Sequence, residues 1–138
     1  MPMRRALISS AMVLSALAVV SGCQEEPQAG LAVEVPSGRA LSLIDVITNA
    51  PGPSGAAARF RFLAPGLASE DVESSLEDMQ AICDGFALER TRGMVPEPQQ
   101  IIITFMSAAV PFGEAAPDVV QFFEAFRVEN DACVWEVF

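Results

Sequence analysis

Cys83 and Cys133, far apart along the chain, restrict it to folds that bring one long helix against one late strand. Val72, Leu76, Met79, Cys83 and Phe86 recur at helical spacing, which predicts a helix over residues 70–86 with one apolar stripe. Near Cys133, Asn130 and Asp131 separate two strand-like runs and predict a hairpin. Centring the turn there sets Val128 opposite Cys133, Phe126 opposite Trp135 and Glu124 opposite Val137 on one face. Ala125, Arg127, Val134 and Glu136 fall on the other. The third cysteine, Cys23, closes an apolar N-terminal run, so Cys83 and Cys133 remain as an even pair and a disulfide is expected. Neither lies in a Cys-x-x-Cys motif, which makes the bridge structural rather than redox-active.

Residues 41–48 (LSLIDVIT) read as a short strand, followed by Pro51 and Gly52 at the centre of a type II turn. In residues 57–63, Phe60 and Phe62 alternate with Arg59 and Arg61, the pattern of a strand with one buried and one solvated face. Ser69 is placed to cap the helix, with Glu70, Asp71 and Glu73 in its first turn against the positive end of the dipole. Residues 101–106 (IIITFM) are β-branched and apolar and predict a buried strand. Residues 107–118, with Pro111, Gly113 and Pro117, predict an irregular connection. The expected fold is α+β: an antiparallel sheet of about five strands in the chain order β-β-α-β-β-β, one helix across one face, stapled to the last strand.

The N-terminus carries an export signal. Arg4 and Arg5 precede an apolar run from Ala6 to Val20 that is too short for a membrane span. Val20, Ser21, Gly22 and Cys23 resemble the lipobox of bacterial lipoproteins, in which cleavage leaves the cysteine as a lipidated first residue. Gln24 stands where an Asp would hold a lipoprotein of enteric bacteria at the inner membrane, which favours the outer membrane. The expected division is a signal peptide over 1–22, the lipidated cysteine and a flexible tether over 23–38, and one globular domain over 39–138. The expected location is the periplasmic side of the envelope.

Charge limits the partners. Taking Arg4 and Arg5 from the eight Arg leaves six against 18 Asp and Glu, a net of −12. Such a surface repels nucleic acid and anionic headgroups. Membrane attachment is therefore expected from acyl chains on Cys23, each buried CH₂ contributing about 0.8 kcal/mol. Another envelope protein is the second expected partner.

No His or Tyr is present and every cation is Arg, which removes the usual neutral-pH base and the familiar nucleophilic triads. No stretch has the ligand spacing of a calcium loop, and no cofactor is implied. Two features could form an interaction surface. One is the helix side bearing Glu70, Glu73, Glu77 and Asp84, with Asp71 and Asp78 nearby; its bland reading is a solvated face of an acidic protein. The other is VPFGE, in which Phe112 stands between Pro111 and Gly113; its bland reading is a type I turn with Pro second and Gly fourth, and the ring folded onto the core. No residue set declares a reaction.

SLIDVI with the following APGP, RFRFLAP, VPFGE, FFEAF and the closing C-x-W-E-x-F resemble an uncharacterised family of small exported proteins of Rhodobacter-group alphaproteobacteria. The resemblance spans residues 38–138 and implies no activity and no catalytic residues. Two functions from different classes follow: a non-catalytic, lipid-anchored envelope binding module, or a small periplasmic enzyme or metal-binding protein that uses only carboxylates. A bound metal, or activity lost on changing a single acid, separates them.

Overall fold

The computed structural model describes residues 30–137. The export signal, Cys23 and the first part of the expected tether lie outside the described residues. Six strands form one sheet in sequence order: β1 (Leu31–Ala32), β2 (Ser42–Ile47), β3 (Ala57–Leu63), β4 (Gln100–Met106), β5 (Gln121–Glu129) and β6 (Ala132–Glu136).

The sheet is mixed, because β3 and β4 run parallel while every other neighbouring pair is antiparallel. The α+β architecture, a mostly antiparallel sheet crossed by one helical segment that is stapled to the last strand, is as expected, and the parallel β3–β4 pair is its one departure. Its cause is the helix: after β3 the chain returns along one face through α1 (Val72–Ile82), a π-helical segment (Cys83–Ala87) and α2 (Leu88–Thr91). Roughly 30 Å of helix at about 1.5 Å per residue carries the chain back to the end where β3 began. The next strand must then start there and run the same way.

The core lies between helix and sheet. Phe60, Phe62, Ile101, Ile103, Phe105 and Phe126 from the strands meet Met79, Ile82, Cys83, Ala87 and Leu88 from the helix. Phe62 and Phe105 pack edge to face with centroids 6.0 Å apart, and Phe86 stands edge-on to both Phe60 and Phe62. Burying each such ring contributes about 3 kcal/mol by area. Met79, Cys83 and Phe86 of the expected stripe pack on the core, but Val72 at its start is 57% exposed, and Ser75, Asp78 and Ile82 are buried beside the stripe. Ser69 does not cap the helix. Asp71 occupies that position, and its Oδ2 instead accepts the N–H of Ala68 at 2.9 Å.

Two further expectations change at the first strands. Residues 31–38, read from sequence as tether, are docked: β1 pairs with β2, and Val33 and Val35 pack on the core. Gly30 permits this, since a Cβ there would meet the Leu43 carbonyl oxygen at 1.8 Å. The turn after β2 is centred later than Pro51 and Gly52, because Gly52 and Gly55 exchange both backbone hydrogen bonds around Pro53 and Ser54.

The hairpin register is as expected. Asn130 and Asp131 have φ of 50° and 59°, the left-handed pair that a two-residue hairpin turn demands. Val128 faces Cys133 and Phe126 faces Trp135. The ladder ends at Ala125 and Glu136, so Glu124 and Val137 do not pair; the Glu124 carboxylate accepts the Trp135 indole N–H at 2.8 Å. Cys83 and Cys133 are disulfide-bonded with Cα atoms 6.0 Å apart.

Candidate interaction surface on the open face of the sheet

Period-two alternation along β3 sends Phe60 and Phe62 to the helix and Arg59 and Arg61 to the opposite face. Among the described residues that face carries no helix. Asp45 and Ile47 of β2 flank the two arginines on one side, and Thr104 and Ile102 of β4 on the other. Phe123 and Ala125 of β5 lie beyond them.

A solvated face was expected here, but the connection after β4 folds back over it. Ser107 and Val120 close the loop, the Ser107 N–H donating to the Val120 carbonyl at 2.9 Å and the Val120 N–H donating to Ser107 Oγ at 3.0 Å. Val110 is buried, and Arg61 donates to its carbonyl oxygen. Arg61 also pairs with Asp45 at 2.8 Å and touches Met106 Sδ at 3.4 Å, which leaves it 5% exposed. It is a structural cation, not a solvated one. Arg59 differs. Its Nη2 donates weakly to the Pro51 carbonyl at 3.3 Å, its Nε is buried without a partner, and no carboxylate among the described residues lies within ion-pair distance.

Phe112 covers both guanidinium groups, with centroid distances of 5.5 Å to Arg59 and 5.7 Å to Arg61. Each such contact contributes about 0.5–1 kcal/mol at an exposed site. The loop turn is one residue later than expected: the Glu114 N–H donates to the Pro111 carbonyl at 3.1 Å, which makes Gly113, at φ 83°, the third residue of a type II geometry. That shift presents the ring. Phe112 is 49% exposed, and Phe123 beside it is 71% exposed. Together they line a depression of about 190 Å³ with Arg59, Arg61, Thr104 and Gln121, and Glu114 stands on its rim. Its chemistry is a guanidinium with free donors against aromatic walls, suited to a carboxylate or a planar group.

The acidic helix side is smaller than its sequence suggests. Asp78 is fully buried and accepts the Ser37 N–H at 2.9 Å, the Ser37 hydroxyl at 2.6 Å and Arg39 Nε at 2.8 Å. Asp71 lies 3.7 Å from the same guanidinium. Asp84 accepts the Cys133 N–H at 3.0 Å and the Gln80 side-chain amide at 2.9 Å, while that amide also donates to the Cys133 carbonyl at 3.0 Å. These three acids hold the fold together; Glu70, Glu73 and Glu77 remain exposed. Of the expected surface residues, Phe112 therefore stands apart from Glu73 and Glu77, and Asp84 is engaged with β6. The sequence did not bring Arg59 and Phe112 together as the structure does. The signal was the alternation of Arg59 with Phe60, but nothing local showed that a distant loop would return over it.

Among the described residues no group of His, Cys, Asp and Glu is arranged to hold a metal ion, and no helix is long and apolar enough to cross a membrane. The chain belongs to DUF6497, a family of unknown function, whose family model matches residues 13–138. Comparisons with curated proteins and with solved structures each gave no match.

Proposed function

We propose that this protein is a non-catalytic binding module of the cell envelope, attached to a membrane through acyl chains on Cys23. It engages another envelope protein through the surface formed by Arg59, Phe112 and Phe123. The observation that carries this reading is Arg59: a half-buried guanidinium with no carboxylate partner among the described residues, set against an exposed ring in a chain of 18 acids and 8 cations. An acid supplied from outside would complete the pairing of this guanidinium. The lipobox-like run ending at Cys23 and the resemblance to exported proteins support the location.

Two outcomes test the reading. Arg59→Ser lowers recovery of crosslinked partner from intact cells by about tenfold, the effect of losing one charged hydrogen bond, while Glu73→Gln with Glu77→Gln leaves it unchanged. Equal recovery from Arg59→Ser and the parent protein defeats the assignment. Cys23→Ser moves the protein from the membrane fraction to the soluble one, and retention in the membrane fraction would contradict the lipid anchor.

A further inference from the structure

We infer that the recess between α1 and the first half of β5 takes a lysine side chain of the partner protein. The inference rests on the binding-module reading above and gives that surface a second anchor. The recess holds about 230 Å³ and is lined by Val72, Ser75, Leu76 and Met79 of α1 and by residues 121–124 of β5. Pockets that bury a drug-sized molecule run to about 300–1,000 Å³, so this one suits a single side chain. Gln121 and Phe123 line both the recess and the depression over Arg59, which makes the two continuous. Val137 stays 74% exposed and does not line the recess.

Two acceptors in this recess lack a donor. Strand alternation turns Phe122, Glu124 and Phe126 to the helix side, where the two rings pack on the core. Glu124 between them accepts the Trp135 indole N–H at one oxygen, and among the described residues no arginine lies within ion-pair distance of it. Ser75 is 1% exposed, and its Oγ has no hydrogen-bond partner among the described residues. A hydroxyl buried unpaired costs stability, so a donor that enters the recess removes that cost. A carboxylate and a hydroxyl set among apolar walls select a cation on an apolar stem. Lysine meets both demands: its methylenes pack on Val72, Leu76 and Met79, and its compact ammonium divides three donors between Glu124 and Ser75. An arginine fork asks for two free coplanar oxygens, and Trp135 already holds one of the pair on Glu124. Glu73 and Glu77, exposed further round the helix, add negative potential that draws the same charge.

Two probes make the test: N-acetyl-lysine N-methylamide and its norleucine counterpart, which lacks the ammonium. Each is titrated into the ¹⁵N-labelled protein isolated from cells. The chain holds a single Trp, so its indole resonance reports on Glu124 directly. The lysine probe shifts that resonance and the amides of residues 121–124, and binds about tenfold tighter than the norleucine probe. Glu124→Gln keeps an acceptor for Trp135 and removes the preference, whereas Glu77→Gln, an equal change of charge, leaves it. Ser75→Ala weakens the lysine probe about fivefold and leaves the urea midpoint unchanged or higher, because no bond within the protein is lost. Equal affinity for the two probes, a preference that survives Glu124→Gln, or a Ser75→Ala variant that loses stability and keeps its affinity would overturn the inference. In cells Glu124→Gln also lowers partner recovery by about tenfold. If it leaves recovery unchanged while Arg59→Ser lowers it, the binding module stands and the lysine site does not. Binding of the lysine probe with recovery unchanged in both variants would mark a site for a free amine and overturn the assignment to a partner.

Discussion

Replacing Cys83 and Cys133 together by Ala lowers the free energy of unfolding by about 4 kcal/mol, the chain-entropy value for a loop of 50 positions and an upper figure for the loss. For a domain of this size that is a large share of the total. The structural cost is local as well. As an edge strand, β6 is held on one side by β5, and on the other by the disulfide and the bonds from Asp84 and Gln80 to Cys133. Urea unfolding of the double variant, with limited proteolysis at the hairpin, measures both effects. A loss below about 1 kcal/mol would show that the two side-chain hydrogen bonds suffice to hold β6.

Asp78→Ala is expected to cost about 3 kcal/mol, the lower end for breaking a buried charge pair, since Asp71 stays near Arg39 to compensate in part. Asp78 is fully buried, and Arg39 is 15% exposed at its side chain. Removing the carboxylate takes the acceptor from the Ser37 N–H and hydroxyl and leaves Arg39 Nε only Ser37 Oγ, at 3.2 Å. These groups clasp the segment before β2 to α1, so the variant should also become sensitive to trypsin after Arg39. Pairing Asp78→Leu with Arg39→Met removes both charges and should cost less than Asp78→Ala alone. A double variant that is less stable than the single one would mean that the ion pair contributes net stability rather than specificity.

The parts of this fold that sequence displays are those set by neighbours along the chain. The Asn130 and Asp131 turn fixes the hairpin register, because both residues tolerate left-handed backbone and the period of two does the rest. The cysteine pairing follows from there being one partner for Cys83. What sequence hides depends on segments that meet only after folding. Asp78 reads as a wet acid until Ser37 and Arg39 are brought to it from about 40 positions away. Arg61 reads as solvated until the loop carrying Val110 and Phe112 closes over the sheet. The π-helical segment at Cys83–Ala87 rotates the buried face between α1 and α2, which a uniform helical period cannot represent. The parallel pairing of β3 with β4 is a property of the crossover and leaves no mark in either strand's own pattern.

The candidate surface shares this division. Phe112 was visible because Pro111 and Gly113 bracket it in a loop, whereas the value of Arg59 emerges only when the other cations near it are seen to be paired. Arg127 on the same open face is one of those. Its hydrogen bond to Glu129 and the charge of that carboxylate raise its pKa above the ordinary arginine value, with Glu136 adding to the effect. Among the described residues Arg59 has no carboxylate within ion-pair distance. On the proposed reading the working surface is the open face of the sheet rather than the acidic side of the helix.

A photocrosslinking phenylalanine analogue placed at Phe112, at Phe123 and, for comparison, at Glu77 decides between these two faces in intact cells. The expected result is an adduct of the same partner from positions 112 and 123, lost when Arg59→Ser is added, with no adduct from position 77. Adducts from position 77 alone, or adducts from position 112 that persist in Arg59→Ser, would contradict it.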